Sequence, residues 1–111
     1  MMLGTNDLLQ GASPETVSSR MERFVKPLPQ EKLLLIAPPP MKFGQWVQDQ
    51  ELIDDSITLA KAYQALSERL GIRFADAGKW NIPLAYDGVH MTQEGHRAFA
   101  EGVIEYLHKG E

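Results

Sequence analysis

The chain has 111 residues, 43% of them hydrophobic and 23% charged, with a net charge of −4; this suits one modest globular domain and excludes collagen-like or disordered composition. The acidic balance, with no Lys/Arg stripe, argues against a nucleic-acid surface, and no apolar run is long enough to span a bilayer. Zero cysteines exclude a disulfide, a thiolate nucleophile and a cysteine metal site, while the lack of a secretory pattern at the N-terminus leaves the compartment unspecified, with the cytoplasm as default.

Met1-Met2-Leu3 is a short apolar run predicted as a buried strand, closed by the turn residues Gly4-Thr5-Asn6-Asp7. Asp7 is expected to cap and hold that turn. Ser13-Pro14-Glu15 is a helix start, with a serine N-cap, proline at the first helical position and an acid in the first turn. Val17, Met21, Phe24, Val25 and Leu28 then predict one buried helix face, which Pro27 and Pro29 terminate.

Leu33-Leu34-Leu35-Ile36-Ala37 reads as a parallel strand covered on both faces, stopped by Pro38-Pro39-Pro40, since proline cannot donate to a ladder. Residues 41 to 50 read as a loop or a frayed helix start carrying Phe43 and Trp46. A long helix follows, with Leu52, Ser56, Leu59, Tyr63, Leu66 and Leu70 along one stripe, Ile53, Ile57 and Ala60 beside it, and Gly71 just past its end. Ile72-Arg73-Phe74-Ala75 predicts a third short strand, ending at Asp76. A turn-rich loop occupies residues 78 to 90. Thr92 caps a last helix, whose buried face is Phe99, Val103, Tyr106 and Leu107, with His108 and Lys109 suited to its C-terminal end. The alternation of strand and helix predicts one domain over residues 1–111, with a parallel sheet covered by helices on both faces.

In such sheets, sites gather at the carboxyl ends of the strands, where topology brings Asn6, Asp87 and His90 together. An imidazole acting as general base needs its second nitrogen held by an acceptor, and Asp87, three residues before His90 across Gly88, can supply one. The same residues equally suit a closed turn leading into a helix. Asn6 can donate its amide to a developing oxyanion or simply bond local backbone. A zinc site built on Asp87, His90 and His96 finds no HExxH spacing and no cysteine to support it. His96 falls in line with Phe99 and Val103, as a residue at the edge of the core.

Gly4-Thr5-Asn6-Asp7 after an apolar strand, and Asp87-Gly88-Val89-His90 just before the final helix, resemble the SGNH hydrolases, the GDSL-type lipases and esterases. The Ala37-Pro38-Pro39-Pro40 segment and the layout from Ile72 to Trp80 are also similar to that family, so the resemblance covers essentially the whole chain in order. It implies a flavodoxin-like, three-layer α/β/α fold reduced here to three strands, and serine-type hydrolysis of small-molecule carboxylic esters without metal or organic cofactor. By motif, Asn6 would be an oxyanion-hole donor, His90 the general base and Asp87 its orienter. Pro39, Phe43, Trp46 and Trp80 would flank the acyl or alcohol pocket, with buried packing the alternative role for each aromatic.

The family's Gly-Asp-Ser block and the glycine of its second block have no counterpart here. The serines are Ser13, Ser18, Ser19, Ser56 and Ser67; one is a helix cap and four lie in predicted helices, so none follows a strand at a sharp turn. The chain therefore resembles the C-terminal part of such a domain, with its nucleophile elsewhere. The bare edge of the first strand predicts pairing with a second copy or with the absent N-terminal segment. A noncatalytic α/β module that binds a ligand or partner is the alternative function.

Overall fold

The computed structural model describes residues 4–109, so the strand expected at Met1-Met2-Leu3 lies outside the described residues. The helices are α1 (Thr5–Leu9), α2 (Pro14–Val25), α3 (Gln50–Leu70) and α4 (Gln93–Lys109), and the strands are β1 (Leu34–Ala37) and β2 (Arg73–Asp76). β1 and β2 pair in parallel, from Leu34 opposite Arg73 to Ala37 opposite Asp76. α3 is the crossover between them. Parallel neighbours need such a connection, because a tight turn can only reverse the chain.

Side-chain alternation along β1 creates the layers. Leu35 and Ala37 face a core made with Leu8 of α1, Val17, Met21 and Val25 of α2, and Leu59, Tyr63 and Leu66 of α3. Ile36 faces the opposite way, to Ala75, Ala77 and Ile82, where Trp80 and the α4 residues Phe99, Val103 and Tyr106 complete a second core. The result, among the described residues, is an α/β/α arrangement about a two-stranded parallel sheet.

The helix ends follow local chemistry. Ser13 Oγ accepts the Thr16 N–H at 3.2 Å, with Pro14 in the first turn where no intrahelical donor is needed. The Gln30 amide donates back to the carbonyls of Val25 at 2.9 Å and Leu28 at 2.6 Å, closing the C-terminal end of α2. Gly71 ends α3 at φ 74°, left-handed backbone that glycine takes without a Cβ penalty. Thr92 Oγ1 accepts the Gly95 N–H at 3.0 Å and caps α4.

Several expectations shift. Gly4 to Asp7 is no open turn: Thr5 begins the five-residue helix α1. Asp7 does not cap it; Gly4 holds the N-cap position and Asp7 pairs with Arg20 at 3.6 Å. Leu33 and Ile72 precede their strands rather than starting them. On α2 and α4 the apolar stripe is wider than the covered surface, so Phe24 and Leu107 face solvent. Where the 78–90 loop begins, Ala77–Trp80 forms a turn of 3-10 helix.

Candidate functional site

β1 and β2 run side by side, so the chain leaves both at one end of the sheet. The segment after β1 passes through Pro38-Pro39-Pro40 and is anchored at Met41, whose N–H donates to the buried hydroxyl of Ser56 at 3.0 Å. It then forms a strap over residues 42–47. The segment after β2 reaches a small antiparallel bridge between Leu84 and Met91, where the Ala85 N–H donates to the His90 carbonyl at 2.7 Å.

Strap and turn are bound backbone to backbone. Lys42 donates to the Gly88 carbonyl at 3.0 Å, Gln45 to that of Tyr86 at 3.0 Å and Trp46 to that of Asp87 at 3.1 Å. The approach is close enough to demand glycine on both sides. A Cβ on Gly44 would stand 2.5 Å from the Asp87 carbonyl carbon and the Gly88 nitrogen. Gly88 lies at φ 82°, and a Cβ there would collide with the Lys42 carbonyl oxygen.

This clamp presents Asp87 and His90. Asp87 Oδ1 accepts the N–H groups of Val89 at 2.8 Å and His90 at 2.9 Å, while Oδ2 meets His90 Nδ1 at 2.6 Å. The Asp87 carboxyl is held below the usual carboxylate range, first by the Val89 N–H; burial opposes this, and the His90 N–H and imidazole add to it. An ionised Asp87 only accepts, so Nδ1 carries the proton and Nε2 is left as the free basic nitrogen. The side chain of Asp87 is 8% exposed and that of His90 62%. The carboxylate is thus enclosed and the imidazole presented. Trp46 packs against His90 at 78°, with 5.1 Å between ring centroids.

His90 lines a cavity of about 550 Å³, a size suited to a small ligand. Asn6 and Thr5, at the start of α1, line it as well, with Pro38, Pro39 and Trp46 from the post-β1 segment. The two motif regions, 84 residues apart from Asn6 to His90, therefore meet at one cavity. Gly4 makes this possible on the α1 side: at φ 122° it lies against the buried Tyr63, whose hydroxyl would be 2.7 Å from a Cβ. Burial, chiefly, and the charge of Asp7 push the Tyr63 hydroxyl well above its usual range, so it stays protonated.

Of the residues expected at the pocket, Asn6, His90, Pro39 and Trp46 line the cavity and Asp87 lies behind His90. Phe43 does not; it points from the strap into solvent. Trp80 is also elsewhere, edge-on to Phe99 at 5.6 Å and flat against Gly102 in the second core. His96 moves the other way. It is exposed and lines the cavity rather than the core edge. Gly95 packs so closely under the Pro83 carbonyl that any side chain would collide, and the residue after it turns outward. The Gly95-His96 pair was the available signal.

A model of the GDSL-like lipase/acylhydrolase family matches residues 1–98. Among solved structures, the chain is similar to a candidate arylesterase from Agrobacterium tumefaciens, with 30% identity and a TM-score of 0.84 over 97% of this chain and 58% of that one. The aryl esterase of M. smegmatis is 26% identical, with a TM-score of 0.83 over 97% and 58% of the two chains. A carbohydrate acetylesterase family member from Sinorhizobium meliloti, 24% identical with a TM-score of 0.79 over 96% and 57%, shares the fold. The chain thus spans a little under three fifths of the length of these structures. No curated protein matches the sequence.

Proposed function

This chain belongs to the GDSL-like lipase/acylhydrolase family, and on that premise we propose that it supplies the base, the orienting carboxylate and one oxyanion donor of a serine-type carboxylic ester hydrolase. The observation that carries the reading is the Asp87–His90 pair at 2.6 Å opening onto the cavity that Asn6 lines.

In the proposed reaction, a serine hydroxyl from outside residues 1–111 attacks the ester carbonyl carbon while His90 Nε2 accepts its proton. Asp87, already ionised, stabilises the imidazolium and fixes its tautomer. The Asn6 amide donates to the oxyanion of the tetrahedral intermediate, a contact of the kind whose loss costs about 10²–10³ in rate. Collapse expels the alcohol, which takes the proton from His90. Water then attacks the acyl-enzyme, again giving its proton to His90; the acid departs and the serine is regenerated. No step calls for a metal or an organic cofactor.

Hydrolysis of 4-nitrophenyl acetate tests the reading. Residues 1–111 alone are expected to show no turnover above background, because Ser18, Ser19, Ser56 and Ser67 are locked in helices and Ser13 is a cap. The same residues joined to a Gly-Asp-Ser-bearing N-terminal segment of the family should turn over, and His90→Ala should abolish it. Turnover in the joined protein that survives His90→Ala overturns the assignment. Saturable ester binding without turnover in the joined protein points instead to a noncatalytic binding module.

A further inference from the structure

His96 has no part in the reaction just described, yet it faces the same cavity as His90. Beyond Asn6 and His90, the side chains there that can hydrogen-bond are Thr5, Trp46 and His96. Thr5 adjoins Asn6 on the first turn of α1 and so stands at the carbonyl end of the site. Trp46 is packed on His90, and its indole can only donate. His96 is different. It is exposed, its ring bonds to no other described residue, and an imidazole can donate from one nitrogen and accept at the other. Its place is fixed from behind, since its backbone N–H donates to the Thr92 carbonyl at 2.9 Å and its neighbour Gly95 is seated under Pro83.

Resting on the hydrolase reading, we propose that His96 is a specificity-determining residue. It hydrogen-bonds a hydroxyl or carbonyl oxygen on the alcohol portion of the ester, so the cavity prefers alcohols bearing such a group to purely apolar ones. The aliphatic wall of Leu9, Val89 and Met91 gives an apolar alcohol contact but no hydrogen bond. A hydroxylated alcohol gains the His96 hydrogen bond and an apolar one does not, and that difference creates the discrimination.

Two matched esters distinguish the outcomes: phenyl acetate and 4-(hydroxymethyl)phenyl acetate, titrated into the 111-residue chain with the imidazole and indole resonances followed by NMR. The hydroxymethyl ester is expected to bind about 2–10-fold more tightly, the range of one neutral hydrogen bond, and to shift the His96 ring where phenyl acetate does not. His96→Phe should bring the ratio of the two affinities to about one whatever it does to each of them, and His96→Gln, which keeps a donor and an acceptor, should retain most of the preference. A preference that survives His96→Phe, or equal binding of both esters by the native chain, overturns the proposal alone. If neither ester moves the resonances of Trp46 and His90, the cavity does not take esters, and the hydrolase reading falls with it.

Discussion

The indole of Trp46 stands at 78° to the imidazole of His90, with 5.1 Å between ring centroids, while the backbone N–H of the same tryptophan donates to the carbonyl of Asp87 at 3.1 Å. One residue of the strap thus touches both members of the acid–imidazole pair, one through its ring and the other through its backbone. Trp46→Ala removes only the ring contact. A double-mutant cycle pairing it with His90→Ala, read by urea unfolding, is expected to give a coupling of about 0.5–1.5 kcal/mol. Trp46→Phe should recover much of it, and no coupling would mean the rings are merely adjacent.

The ionised state of Asp87 gives the loop a defined pH response. Its carboxyl is held below the ordinary range in the fold, whereas in the unfolded chain it titrates near about 3.9. The stabilisation is therefore present above that value and is lost as pH falls through the lower folded value. Asp87→Asn keeps an acceptor for the two backbone N–H groups but removes the charge. Its deficit against the native chain should be largest at neutral pH and shrink steadily in unfolding curves taken below about pH 4.

Gly88 and Gly11 separate steric from conformational cost. Both have positive φ, 82° and 97°, but a Cβ on Gly11 meets nothing within 4 Å, whereas one on Gly88 strikes the Lys42 carbonyl. Gly11→Ala should cost about 1 kcal/mol through backbone strain alone. Gly88→Ala should cost at least about 1–3 kcal/mol more, because strap and turn must part, and hydrogen exchange should rise at the amides of Lys42, Gln45 and Trp46. Equal losses for the two variants would show that the strap yields without penalty.

Trp80 provides the complementary control. Packed on Phe99 and Gly102 away from the cavity, it should act on stability and leave ligand binding alone. Trp80→Ala is expected to lower unfolding stability by roughly 2–3 kcal/mol, less than for a fully buried ring, with ester affinity within two-fold of native. A large loss of affinity at full folding would place Trp80 back at the pocket.

What could be read in the chain beforehand was what local chemistry decides. The Ser13-Pro14 start of α2, the left-handed Gly71 after α3 and the Thr92 cap of α4 are each settled within a few residues. Asp87 and His90 belong to the same class in part: the bonds of the carboxylate all fall within residues 87–90, although the strap holds the turn that carries them. The aromatic rings behaved otherwise. Whether Trp80 or Trp46 reaches the cavity depends on which face of the sheet each loop descends. The 3-10 turn at Ala77–Trp80 carries Trp80 under α4, and nothing nearby in sequence records that direction. His96 was hidden by periodicity. It shares a stripe with Phe99 and Val103, but the stripe outruns the surface that the second core covers.

Because the 42–46 strap and the 86–88 turn meet through main chain, with glycines at the closest points, neither can be retuned by exchanging one side chain for another. Engineering of this pocket has to work around them, on side chains of the wall such as Pro39, Met91 and Leu9, of which the last two also pack against the cores. Recasting the strap would dislodge His90 together with the turn that carries it. The wall of the cavity can be altered; the main chain behind it cannot, unless the clamp opens.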